Sequence, residues 1–125
     1  MVNIDINKLQ EEIYALICKK NVDADVYFNS LPLCLDFSKK HYVSYKLENY
    51  GDGEYKNSVM LTVMFTGAMD NYDLEGQAIA TDKDLNKKFV TDGRIIRQNV
   101  WITNFNDNEE KTRSVVLQYY VNLYV

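Results

Sequence analysis

Few residues of this sequence carry catalytic chemistry, and their spacing does not favour catalysis. His41 is the only histidine, and Cys34 precedes it closely enough for a thiol–base pair to be considered. No signature of a known cysteine nucleophile surrounds either residue. His41 directly follows Lys39 and Lys40, which predicts a solvent-exposed position at the start of a strand. We therefore predict that the histidine is not catalytic.

Pairs of carboxylates could supply general acid–base chemistry. Asp23 and Asp25 form one such pair, and Asp82 and Asp84 form another. Residues two positions apart on a helix do not face each other, so Asp82 and Asp84 are predicted to coat a solvated helix face. The sequence therefore predicts no catalytic residue and a protein that is not an enzyme.

Metal and cofactor sites fit the sequence no better. The segment Asn104–Glu110 holds several oxygen ligands suited to a hard cation, but it lacks the glycine and the spaced terminal glutamate of a calcium loop. It is predicted to be a polar hairpin loop. Cys18, Cys34 and His41 lack the paired spacing of zinc ligands, and Gly51–Gly53 lacks the lysine of a phosphate-binding loop. We predict no metal and no cofactor.

Composition limits the remaining function classes. The chain has 125 residues, of which 46% are hydrophobic and 26% charged, and its net charge is -4. This balance is typical of one soluble globular domain, 1–125, and disfavours a net-basic nucleic-acid binder. The apolar runs fall short of the roughly 20 residues of a membrane span, and no secretory signal is apparent. Cys18 and Cys34 could form one bridge, but reduced thiols are favoured.

Periodicity predicts the elements that position these residues. Apolar residues recur at helical spacing near the start of the chain and again after its middle, and alternate elsewhere. The predicted fold is α+β, an antiparallel or mixed sheet of about five strands with two helices packed on it, in the order α-β-β-β-α-β-β. The predicted helices are Ile6–Cys18 and 72–89, and the extended segments are 24–28, 31–37, 41–48, 56–65, 94–105 and 112–125.

The last predicted strand has apolar or aromatic residues on both faces. Its second face carries Val116, Tyr120 and Tyr124, and the second face of the 56–65 strand carries Met60 and Met64. Helices on one side of the sheet cannot cover both faces. The sequence therefore predicts either a second subunit on the other face, since interfaces are rich in tyrosine and methionine, or helices on opposite faces.

Along nearly its whole length, the sequence resembles the phage tail terminator (tail completion or minor capsid) protein family. The resembling features are an opening helix, a strand that runs through Thr66-Gly67 into an acidic helix, and an arginine leading into an alternating final strand after an acidic loop. In this sequence they are Ile6–Cys18, Val59–Phe65, Leu74–Phe89, Asp92-Gly93-Arg94-Ile95-Ile96 and Arg113–Val121.

The resemblance implies a virion structural protein without catalytic residues. Members form a homo-oligomer, a hexameric ring that caps the tail tube, stops its polymerisation and joins tail to head. The implied partners are the tail tube protein and the head–tail connector proteins, with DNA passing through the ring without specific binding. The implied location is the virion tail or neck, assembled in the host cytoplasm. Candidate interaction residues are Asp52, Glu54, Asp107, Glu109, Glu110, Tyr120 and Tyr124.

Two other interpretations remain open from the sequence. One is a different phage neck or head-completion protein, to which the same interface argument applies. The other is a small α+β ligand-binding domain or enzyme, which predicts a monomer with Asp or His at close quarters in a concave pocket. The structural interpretation instead predicts an oligomer with carboxylates dispersed over its surface.

Overall fold

The structure is a computed structural model, and it describes residues 6–49, 58–91 and 93–123. This part of the chain contains two helices and six strands. This α+β architecture confirms the predicted class, with one strand more than expected. The elements are α1 (Ile6–Cys18), β1 (Asp25–Phe28), β2 (Tyr42–Asn49), β3 (Ser58–Ala68), α2 (Leu74–Leu85), β4 (Phe89–Val90), β5 (Gly93–Asp107) and β6 (Thr112–Leu123).

The strands form one mixed sheet in the order β1-β2-β3-β6-β5-β4. Only β1 and β2 pair in parallel, and the other neighbours are antiparallel. β2 pairs with β3 from Tyr42↔Thr66 to Asn49↔Val59. Strand β6 lies between β3 and β5, so the longest alternating segment of the sequence occupies a central position.

Both helices pack on the same face of the sheet, which we call the helix face. The apolar stripe of α1 (Leu9, Ile13, Leu16 and Ile17) is buried there, as are Leu74, Ala78 and Leu85 of α2. One continuous core results, and it contains sheet residues such as Val43, Leu61, Val63, Phe65, Ile95, Leu117 and Tyr119. The alternative with helices on opposite faces is therefore excluded for the described elements. Neither described helix is long and apolar enough to cross a membrane.

The predicted strand at 31–37 is wrong. The segment is irregular, with Cys34 exposed and in the left-handed region at φ 65°. Its hydrogen bonds are local: the Asp36 carboxylate accepts from the backbone N–H and the hydroxyl of Ser38. Such side-chain bonds compete with strand pairing, and Pro32 has no N–H to donate. The segment instead places Phe37 edge-on against Tyr42, with ring centroids 5.4 Å apart.

The second helix is shorter than predicted. It ends at Leu85, and Phe89–Val90 form β4 against the start of β5. Lys87, at φ 64°, takes the chain out of the helical direction, and its N–H donates to the carbonyl of Ile95 at 2.8 Å. This turn supplies the additional strand at the edge of the sheet.

The predicted alternation of β5 is wrong over its second half. The register against β6 shifts between Arg97 and Ile102. Ile96 pairs with Tyr120, away from the helices, whereas Ile102 pairs with Leu117 in the core. An inserted bulge moves later side chains to the opposite face, so Ile96 and Ile102, which unbroken alternation along 94–105 would place on one face, lie on opposite faces.

Candidate interaction surfaces

The sheet face opposite the helices, here called the open face, gathers the apolar side chains that the sequence placed there. Met60 lies opposite Tyr120, and Met64 lies opposite Val116. Ile96 of β5 extends the row because it pairs with Tyr120 from the other side. Within residues 6–49, 58–91 and 93–123, neither helix packs on this face, so these side chains form a semi-exposed apolar strip.

The irregular segment after β1 covers one side of the open face. Tyr42 contacts Phe37 there and lies 6.4 Å from the ring of Tyr27. Nearby, a cavity of about 200 Å³ is bordered by Met64 and Val116. Among the described residues, this segment therefore covers the open face on the side of β1 and β2.

The acidic loop between β5 and β6 is shorter than the predicted hairpin loop Asn104–Glu110, because β5 continues to Asp107 in pairing with β6 and only 108–111 form the turn. Asp107 orders it, because its Oδ1 accepts the backbone N–H of Glu109 at 3.1 Å and that of Glu110 at 3.2 Å. Glu109 and Glu110 are exposed. The three candidate carboxylates therefore differ in role: Asp107 holds the turn, and the two glutamates present negative charge to solvent.

The other three candidate interaction residues, Asp52, Glu54 and Tyr124, lie outside the described residues, as does the whole segment 50–57.

The ligand-binding or enzyme interpretation requires a concave pocket, and a groove of about 850 Å³ lies beside the acidic loop. Cys34, Asp36, Asp70 and Glu110 are among its lining residues, but the single histidine is not. Hydrogen bonds from Ser38 lower the pKa of Asp36, so this carboxylate closes a local turn. No group of three or more His, Cys, Asp or Glu side chains is arranged to hold a metal ion among the residues that the structure describes.

His41 is half-buried rather than solvent-exposed as predicted. Its Nε2 lies 3.4 Å from Oδ1 of the buried Asn21, and its ring stacks on Phe65 at 6.3 Å. The Nδ2 of Asn21 donates to Thr81 Oγ1 at 2.9 Å and to the carbonyl of Ile17 at 2.7 Å. The histidine therefore borders a polar junction between α1 and α2.

Replacing His41 with glutamine is expected to reduce the loss of stability between pH 7 and pH 5.5. Burial lowers the pKa of His41 below its ordinary 6.5. The unfolded chain therefore takes up a proton before the folded chain does, and stability falls as pH drops below about 6.5. Urea denaturation at both pH values measures the difference, and equal losses in the two proteins would contradict it.

An ion pair between the buried Asp82 and the partly exposed Arg97 joins α2 to the sheet, and the predicted position of the carboxylate on a solvated face is wrong. Asp82 is 1% exposed and does not lie on a solvated face. It accepts from Arg97 Nε at 3.1 Å and from the Tyr119 hydroxyl at 2.7 Å. Burial and the bond to Asp82 raise the pKa of Tyr119. The sequence contains a sign of this burial, because Leu74, Ala78 and Asp82 share the four-residue spacing of one helix face.

Arg113, part of the family resemblance, anchors the start of α2. Its Nη1 donates to the carbonyl of Asn71 at 2.7 Å and to Glu75 Oε2 at 3.1 Å, and its Nη2 also contacts Glu75. The guanidinium lowers the pKa of Glu75. This forked pairing ties the helix to β6 beside the β5–β6 hairpin.

Comparison with known proteins identifies a structural match over nearly the whole chain. No protein-family model matches this sequence, and no curated protein matches it. Solved structures do match, and one of them is a chain from the virion of a native gene transfer agent particle. The two chains are 16% identical with a TM-score of 0.68, and the match covers 98% of each. At this identity, the likeness establishes a shared fold.

Proposed function

We propose that this chain is a structural protein of a phage-like virion and that, within the virion, it is the tail terminator. The observation that carries the proposal is the fold match to a gene transfer agent virion chain, which extends over 98% of both chains. Because nearly every element is shared, the match extends beyond a recurring sheet-and-helix motif. The order of elements also agrees with the terminator resemblance of the sequence.

The described surface supports a role through contact rather than catalysis. Asp82 is engaged in a structural pair in the core, and Glu109 is exposed at the hairpin tip. Apolar side chains are exposed instead, including Tyr72 at 83% and Val100 at 63%. The proposed protein is therefore not an enzyme, and it assembles with other virion proteins.

The finer proposal is a homo-oligomeric ring, a hexamer by the family resemblance, at the neck of the virion. One side of the ring would contact the tail tube protein and the other the head–tail connector proteins. DNA would pass through without specific binding, since the net charge of -4 disfavours a tight electrostatic complex with phosphates. The ring would assemble on the tail in the host cytoplasm.

Deleting the gene for this chain from its phage or particle locus is expected to give overlong tails without heads. A terminator stops tube polymerisation and provides the joining surface, so both failures should occur together. Electron microscopy of lysates measures tail length and attachment, and the restored gene should recover both. Mass spectrometry of purified wild-type particles should detect the chain.

The same deletion separates the proposal from its alternatives. Tails of normal length beside heads that have lost their DNA would assign the chain to head completion instead. If the deletion strain produces particles that are normal in form and still infect or transduce, the chain has no required virion role. A ligand-binding or enzymatic function would then be favoured.

A further inference from the structure

A groove between α1 and β4, here called the α1–β4 groove, combines an apolar floor with a basic rim. Its volume is about 340 Å³, with Leu16, Phe89 and Val90 among the apolar lining residues and Lys19 and Lys88 beside them. Phe89 is 62% exposed. A ring this exposed, with two lysines around it, suits an occupant that is both apolar and acidic.

Two contacts give the α1–β4 groove its shape and charge. The carboxylate of Glu12, also in the lining, accepts the backbone N–H of Thr91 at 3.1 Å and its hydroxyl, which ties α1 to the chain after β4. The guanidinium of Arg94 lies over the ring of Phe89 at 4.5 Å. Glu12 is therefore engaged by donors, while a third cation stands next to the exposed ring.

A complementary surface lies at the other end of β5. Glu109 and Glu110 extend from the hairpin tip, and Phe105 nearby is 52% exposed. Across residues 6–49, 58–91 and 93–123, neither these glutamates nor Lys19 and Lys88 take part in an intramolecular ion pair. The hairpin tip therefore presents the two glutamates beside an exposed Lys111, and the groove presents the two lysines beside Glu12, whose carboxylate is engaged by Thr91.

The two surfaces cannot meet within one chain. Arg94 and Asp107 stand near opposite ends of β5, and at about 3.3 Å per residue they are separated by about 40 Å. A contact between the surfaces must therefore join two copies. Since different patches of each copy take part, the contact is head-to-tail, and repeating it either closes a ring or propagates a filament.

We propose that the β5–β6 hairpin tip of one copy docks in the α1–β4 groove of the next, with Glu109 and Glu110 facing Lys19 and Lys88. The inference rests on the proposed ring and names its subunit contact. The occupant is a second copy of this chain, because the complementary apolar and acidic surface is found on the chain itself.

Charge reversal on each surface tests the contact. One variant carries Glu109→Lys with Glu110→Lys, and the other carries Lys19→Glu with Lys88→Glu. Either alone sets like charges against each other and should weaken self-association about tenfold or more. Mixed in equal amounts, the two variants should associate again, because each tip then meets a groove of opposite charge. Sedimentation velocity measures all three samples.

The control and the salt dependence make the result specific. Glu11→Lys with Asp23→Lys makes the same change in net charge as Glu109→Lys with Glu110→Lys, at exposed positions, and should associate like wild type. Raising salt from about 50 to about 500 mM should weaken wild-type association, because exposed charges are screened.

Several outcomes would overturn the contact: a wild-type chain that remains monomeric at every concentration, reversal variants that associate normally, or a mixture that does not recover. If the chain forms a ring but the reversal variants associate normally, the proposed contact is wrong and the terminator role still stands. If the deletion strain makes normal tails, the terminator role is wrong, whatever the variants show.

Discussion

Replacing Asp82 with alanine is expected to lower the free energy of unfolding by about 3 kcal/mol. The substitution leaves the buried Tyr119 hydroxyl without the carboxylate that accepts its hydrogen bond, and it removes the charged partner of Arg97. An unsatisfied buried polar group costs about 1–3 kcal/mol, and a hydrogen bond to a charged group contributes about 1.5–3 kcal/mol. Water can reach Arg97, whose side chain is 38% exposed, so the total stays below the sum of the upper limits.

Two companion variants identify the cause of this loss. Lys83→Ala changes an exposed neighbour on the same helix and should leave stability within about 0.5 kcal/mol. Tyr119→Phe removes the hydroxyl, so Asp82→Ala should cost less in that background than in wild type. Urea denaturation measures each protein. Equal costs for Asp82→Ala in both backgrounds would show that the hydroxyl does not contribute.

The same pair bears on the proposed interaction surface. Arg97 lies where the β5–β6 register begins to shift, and its guanidinium stacks on Trp101 at 3.8 Å. Fixing Arg97 to α2 therefore holds the bulge in place, and the bulge decides which side chains of β5 face the core beyond it. The outer half of β5, with Val100 and Phe105 exposed, depends on this arrangement.

Elements whose pattern is local could be predicted from the sequence. The stripe of α1 repeats at helical spacing, and all four of its buried residues belong to that stripe. The alternation of β3 and β6 likewise identifies the residues that face the helices, such as Val63 and Leu117. Local periodicity sufficed because each element buries one face along its whole length.

Features set by distant parts of the chain could not be predicted in this way. The helical spacing of Asp82 with Leu74 and Ala78 indicates a buried face, but its partners Arg97 and Tyr119 are identified only once the sheet is placed beside α2. The β5 bulge depends on pairing with β6. In each case, the deciding partner is identified only by the fold.

One of the two candidate surfaces, the open face, could be predicted from the sequence, and the other, the α1–β4 groove, could not. Apolar residues on the second faces of two strands indicated the open face, because Met60 and Tyr120 alternate with core residues in the sequence. The α1–β4 groove combines Lys19 of the first helix with Lys88 and Phe89 after the second. No local pattern connects these positions, so the groove could be found only in the structure.

Replacing Gly93 with alanine is expected to destabilise the protein by about 3 kcal/mol. A Cβ at this position would lie 2.3 Å from the backbone carbonyl oxygen of Asn122. Backbone cannot give way as a flexible side chain can, so β5 would have to move away from β6 at the point where β4 also pairs with Gly93. That displacement would reach Phe89, so head-to-tail association should weaken together with stability.

Gly76→Ala is the matched control for Gly93→Ala, because it adds the same methyl group where no atom lies within 4 Å. Gly76 is inside α2 and exposed, so alanine there should stabilise the protein by about 0.5–1 kcal/mol through its higher helix propensity. Thermal and urea denaturation should move in opposite directions for the two variants, and sedimentation should show weakened association only for Gly93→Ala. A Gly93→Ala protein as stable as wild type would mean that β4, β5 and β6 are not held as closely as the structure has them. The α1–β4 groove would then lose the rigid edge on which its proposed role depends.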